Sequence, residues 1–130
     1  MDNKFVDTNV FIEVLERKGE KSNRSLSFLK GESGLWTNIL VMAEIEWVLR
    51  DYYELEKKRI VDCLQKVLNL NNVKIDHKLA LVEALDFYSS SNVDWVDCIN
   101  AALTKDFGCK EVFSYDHHFD KFDWLKRKEP

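Results

Sequence analysis

Proline is almost missing from this chain of 130 residues: it occurs once, as the last residue, and only four glycines accompany it. That scarcity excludes proline-rich and Gly/Ser-rich linkers, and with no low-complexity tract or repeat to interrupt the periodic segments, a single domain over 1–130 is expected. Cysteine is scarce as well. Cys63, Cys98 and Cys109 are odd in number and form no close pair, which argues against a disulfide framework or a zinc knuckle. Cys98 has no histidine near it in sequence to activate a thiol and reads as core packing. There is no long apolar run and no basic, apolar leader, so neither a membrane helix nor secretion is expected, and the location expected is cytoplasmic. Positive charge is not in surplus either. With 19 Lys and Arg against 23 Asp and Glu, the chain lacks the basic excess that coats nucleic acid by neutralising phosphates.

What is present is 45% apolar residues, enough for a proper core, arranged as short β-prone runs alternating with helical periodicity. The pattern predicts strands at 3–6, 34–37, 72–75 and 111–114. Helices are predicted at 9–18, 21–31, 38–53, 55–69, 76–90 and 95–107, with a helical turn near 117–121. Strands that alternate with helices or helix pairs favour a parallel, mostly buried sheet with helices on both faces. Right-handed crossovers then open the ends of 3–6 and 111–114 on one sheet edge, where ligands collect in α/β folds.

Four carboxylates fall where new elements begin or have just begun. Asp7 ends the first apolar run, Lys4-Phe5-Val6, and is followed by Thr8 and Asn9. All three are good helix caps, so capping explains Asp7 locally. Glu44 lies inside the 38–53 helix, and its neighbours at three and four residues, Leu40, Val41, Trp47 and Val48, are all apolar. It therefore reads as projecting from the inward stripe, whereas Glu46 reads as an ordinary surface acid. A buried carboxylate needs a counter-charge, a proton or a metal. Asp94 is the expected N-cap of the 95–107 helix, which leaves Asp97 in its first turn free to point over the helix end. Asn100, one turn on, is placed to donate to a phosphate or hold a water. Asp116 follows Lys110 to Tyr115 and repeats the strand-then-acid pattern of Asp7. Capping accounts for each acid separately; convergence on a metal accounts for all four. Setting the quartet aside leaves 19 acids against 19 bases, so the excess negative charge is the candidate site itself.

Taken together, these residues resemble the PIN-domain nucleases, and among them the small ribonuclease toxins of type II toxin-antitoxin pairs. The resemblance runs along essentially the whole chain. It rests on Phe5-Val6-Asp7-Thr8-Asn9, on Thr37 through Glu44, on Asp97-Cys98-Ile99-Asn100-Ala101-Ala102, and on Val112-Phe113-Ser114-Tyr115-Asp116-His117-His118-Phe119. It implies a PIN-like three-layer α/β/α sandwich with a central, mostly parallel sheet of four or five strands. It maps the family's acidic quartet onto Asp7, Glu44, Asp97 and Asp116, and its small hydroxyl residue onto Ser114, with Thr8 and Asn9 as the polar follow-on. The chain departs from the family at His118, where another acid is common; His118 or the nearby Asp120 is left to take its place.

Oxygen ligands favour Mg²⁺ or Mn²⁺ over zinc, and such an ion relieves the repulsion among clustered carboxylates. Asp7 and Asp97 are assigned as direct ligands, Asp116 as ligand or water orienter, and Glu44 as orienter or base in phosphodiester hydrolysis. The resemblance also implies an RNA substrate, an antitoxin protein and a homodimer. Lys57-Lys58-Arg59 and Lys126-Arg127-Lys128 read first as a solvated helix face and a frayed tail, and second as guides for an RNA backbone. Trp36, Trp47, Trp95, Tyr52 and Tyr53 read as core or interface before they read as base-stacking groups. A haloacid-dehalogenase-type phosphatase would need a second acid where Asn9 stands. The alternatives that stay open are a PIN nuclease of RNA processing and a catalytically silent RNA-binding or partner-binding module.

Overall fold

The computed structural model describes residues 2–130. They form two compact units, one reaching Lys78 and one covering Leu79–Pro130. The first contains β1 (Lys4–Phe5), α1 (Thr8–Glu16), α2 (Glu20–Gly31), β2 (Leu35–Thr37), α3 (Ile39–Trp47), a π turn (Val48–Tyr52), α4 (Lys57–Leu68) and β3 (Val73–Ile75). Its strands pair in parallel in the order β1-β2-β3. β2 is central, with Leu35 level with Lys4 on one side and Val73 on the other. Leu35, Thr37, Val73 and Ile75 are buried while Lys74 points out, the two-residue alternation of a strand.

Local chemistry sets where these elements start. Gly34 precedes β2 at φ +73°, and a Cβ there would lie 2.6 Å from the Asp2 carbonyl oxygen. Only glycine tolerates both the backbone conformation and the approach that lets Lys4 donate to the Gly34 carbonyl at 2.7 Å. The buried Thr37 hydroxyl donates to the Val6 carbonyl at 3.0 Å, fixing the chain immediately before Asp7. Asn38 caps α3 by accepting from Val41 N at 3.1 Å. In α4, Ile60, Cys63, Leu64, Val67 and Leu68 are buried at helical spacing, and Lys58 and Arg59 face solvent.

The second unit contains α5 (Lys78–Ser90), α6 (Trp95–Asp106), β4 (Glu111–Phe113), a 3-10 turn (His117–Lys121) and β5 (Lys126–Lys128). Trp95 packs its fully buried ring against Tyr88, centroids 5.4 Å apart. Phe87, Phe122 and Trp124 form a second aromatic group with centroids 5.1–5.3 Å apart. Cys98 is buried, as its core assignment required.

The parallel α/β class is as expected, with two differences in detail. Hydrogen bonds divide the five strands into β1-β2-β3 and the parallel pair β4-β5, instead of joining four or five in one central sheet. The strands are only two or three residues long, so each supports few ladder bonds. Lys126-Arg127-Lys128 is not a frayed tail. As β5 it pairs with Glu111–Phe113, Lys128 meets Glu111, and the largely buried Arg127 side chain bonds the Ser114 carbonyl, Asp120 and Glu129 at 2.9–3.1 Å. Among the described residues no helix is long and apolar enough to cross a membrane.

Candidate active site

The first unit carries Asp7, Thr8, Asn9 and Glu44 on one groove of about 650 Å³. Asp7 caps α1, its Oδ1 accepting from Thr8 N at 2.8 Å, and yet remains exposed. Capping and an accessible carboxylate therefore coexist. Thr8 is buried, and its Oγ1 has no hydrogen-bond partner among the described residues. An unsatisfied buried hydroxyl costs about 1–3 kcal/mol, so a polar atom arriving in this groove would be stabilised beside Asp7.

Glu44 shares the groove but is not buried. It is exposed together with Leu40 and Trp47, whereas Glu46 is 4% exposed and bonded by Arg50 Nε at 2.9 Å. The assignment of faces from sequence was reversed. The reason is physical: α3 is apolar nearly all round, ILVMAEIEW, so its periodicity does not single out an inward stripe. Met42, Ile45 and Leu49 are the residues that fill the core. Exposure suits Glu44 better than burial for handling water or substrate. After Trp47 the helix widens into the π turn, with Tyr53 N donating to Val48 O at 3.2 Å, a deviation that sequence periodicity does not reveal and that often marks functional sites.

The second unit gathers Asp97, Asp116 and His118, all half-buried, with one potential ligand atom from each within 4.8 Å of the others. Asp97 sits in the first turn of α6. Asp94 occupies the N-cap position, but its side chain makes no capping bond, so the expected cap is the backbone alone. Asn100 is exposed on α6. Asp116 is held by its surroundings: Ser114 Oγ accepts from Asp116 N at 3.0 Å, and Asp116 Oδ1 accepts from His118 N and contacts His118 Nδ1, both at 2.9 Å. Ser114 thus acts by orienting Asp116. Asp120 does not join the group, because Arg127 takes it.

Burial pushes the Asp97 carboxyl up to about 6, helped by its bond to Asp116 and by the charges of Asp116 and Asp94, against a smaller opposing effect of His118. Asp116 moves the other way, held down by the His118 backbone N–H, by Asp97 and by the His118 ring. The two carboxylates therefore resist being charged together, and Asp97 is the one that holds its proton more tightly. A divalent cation would replace that proton. Two carboxylates and an imidazole in this spacing fit such an ion, and the imidazole suits Mn²⁺ better than Mg²⁺.

The PIN domain profile matches residues 4–125. The chain belongs to the PIN domain family. This PIN domain is also similar to the VapC ribonuclease of Aquifex aeolicus (strain VF5), at 28% identity over 123 residues, covering 91% of this chain and 90% of the relative. The resemblance read from the four motifs is thereby borne out. Sequence reasoning did not find the burial of Glu46 or the π turn. Of the two residues it offered in place of the family's further acid, His118 is the one that lies beside Asp97 and Asp116.

Proposed function

We propose that this chain is a single PIN domain over 1–130 and a metal-dependent ribonuclease that hydrolyses RNA phosphodiester bonds. The observation that supports this most directly is the group formed by Asp97, Asp116 and His118, two crowded carboxylates and an imidazole with potential ligand atoms within 4.8 Å of one another. Likeness to a relative named VapC ribonuclease supports the substrate class. A bound Mn²⁺ or Mg²⁺ supplies charge neutralisation at the phosphoryl oxygens and acidifies a water for attack.

The chain's own residues do the rest. Asp97 and Asp116 would hold the ion as carboxylates, Asp97 giving up to solvent any proton it carries. His118, its ring oriented by Asp116, would add a nitrogen ligand. In the first unit, Asp7 is a further candidate carboxylate ligand, and the exposed Glu44 would orient a water or accept its proton. Thr8 lines the groove beside Asp7, and its unpartnered, buried Oγ1 would need a small shift to donate to a water or substrate oxygen there. Asn9, Asp94 and Asn100 are exposed polar neighbours available to substrate. The setting we propose is that of a cytoplasmic toxin in a type II toxin-antitoxin pair, acting as a homodimer and restrained by an antitoxin protein.

Total RNA incubated with the purified protein and Mn²⁺ or Mg²⁺ is expected to show discrete cut ends. The cuts should vanish with EDTA and with Asp7→Asn or Asp97→Asn. Intact RNA under every condition overturns the reading.

A further inference from the structure

The groove that holds Asp7, Thr8 and Glu44 continues onto a surface those acids do not explain. Trp47 and Tyr52, 53% and 73% exposed, line it together with Tyr53 and Arg17. Leaving two large rings in water is unfavourable unless something covers them. The π turn is what brings them to one groove. Residues five apart on an α-helix point about 140° from each other, given about 100° per residue; the wider i→i+5 turn between Trp47 and Tyr53 reduces that angle.

The surround is rigid and mixed in character. Tyr53 packs against Tyr52 edge to face, centroids 4.9 Å apart and planes at 78°. The Tyr53 hydroxyl accepts from Arg17 Nε at 3.1 Å, and Arg17 Nη1 is held by the buried Glu13 at 3.3 Å. Arg17 Nη2 makes no bond among the described residues and stays available to an anion. Aromatic faces, a guanidinium and the acids of a phosphodiester-cleaving site on one groove match one kind of occupant. A flat, unpaired base attached to a phosphate satisfies all three.

We propose that Trp47 and Tyr52 form a stacking subsite for an unpaired nucleobase of the RNA, next to the phosphate to be cleaved, with Arg17 steering the adjoining backbone. This rests on the ribonuclease reading. It adds a requirement for single-stranded substrate at that position. Stacking of a base on an aromatic side chain is sequence-tolerant and strong enough to be measured for a single residue.

The test is fluorescence anisotropy with a labelled ten-nucleotide single-stranded RNA and its duplex, in EDTA so that binding is read without cleavage. Tyr52→Ala and Trp47→Ala should each weaken single-strand binding about tenfold, leave duplex binding unchanged and leave the circular dichroism melt near that of the wild type. Tyr52→Phe should bind as the wild type does. Removing the base at one position of the RNA should cost the wild type the same factor and cost Tyr52→Ala nothing further. Wild-type affinity in Tyr52→Ala overturns the proposal, as does an equal loss on duplex. A change in sedimentation with RNA affinity intact also overturns it, marking the rings as a protein contact. Cleavage with no dependence on Tyr52 refutes the subsite alone; Tyr52-dependent binding without cleavage under any metal refutes the nuclease alone.

Discussion

The same residue type is used in opposite ways in the two units. Asp97 and Asp116 are half-buried and crowded, with the Asp97 carboxyl pushed up to about 6; Asp7 and Glu44 are exposed on an open groove. Crowding stores a demand for positive charge that a cation satisfies, whereas exposure leaves a carboxylate free to meet water and substrate. On the proposed reading, the crowded pair would hold a cation and the open pair would meet water and substrate.

Removing the crowding is the strongest way to break this contrast. Asp97→Asn is expected to lower RNA cleavage by more than about a thousandfold and to abolish Mn²⁺ binding in calorimetry, since the metal supplies much of the transition-state stabilisation. Glu44→Gln should also lose cleavage while retaining most Mn²⁺ binding. If both variants lose metal equally, the division of labour is wrong. Combining the two should cost little more than Asp97→Asn alone, as expected of residues serving one reaction.

A narrower break targets the histidine. His118→Ala should reduce Mn²⁺ affinity about tenfold while changing Mg²⁺ affinity much less, because Mn²⁺ accepts a nitrogen ligand more readily than the hard, oxygen-preferring Mg²⁺; His118→Asp should bring the two affinities closer together. Equal effects of His118→Ala on both ions would remove His118 from the ligand set.

The acids of α3 sharpen the comparison at the level of stability. Glu46→Ala removes the buried partner of Arg50 and should cost about 1–2 kcal/mol in urea unfolding. Glu44→Ala should stay within about 0.5 kcal/mol, as an exposed substitution does. The opposite order would restore the inward reading of Glu44.

The smallest expected effect is a pH dependence. Asp97 titrates near 6 in the folded protein, above its ordinary value of 3.8. In metal-free protein the folded state therefore binds more protons than the unfolded one between about 4 and 6. Its contribution to stability is full below pH 4 and is lost as pH rises through 6. For a partly solvated carboxyl this is under about 1 kcal/mol. Urea midpoints at pH 5 and 7 in EDTA should differ by that amount in the wild type and lose the Asp97 share of the difference in Asp97→Asn. A wild-type midpoint that does not fall over this range would show that Asp97 is not held above its ordinary range.

How far the sequence carries depends on how one-sided each segment is. α4 separates apolar from charged residues so clearly that its solvated face at 57–59 was legible in advance, while α3 is apolar on almost every side and concealed which of Glu44 and Glu46 points inward. Basic residues at 126–128 read as solvated because charge is costly to bury without a partner. Their partners Glu111, Asp120 and Glu129 become visible only when β5 is laid beside β4.

By itself the sequence determined the parallel α/β class, through strands alternating with helices, and the PIN family, through the order and spacing of four acidic motifs. Those are properties of a linear pattern. Tertiary structure decided which glutamate of α3 faces solvent, where the helix widens to bring Trp47 and Tyr52 to one groove, and that His118 completes the Asp97 and Asp116 pair. These depend on distances of a few ångströms between residues far apart in the chain, where desolvation and charge act, and no local periodicity encodes them.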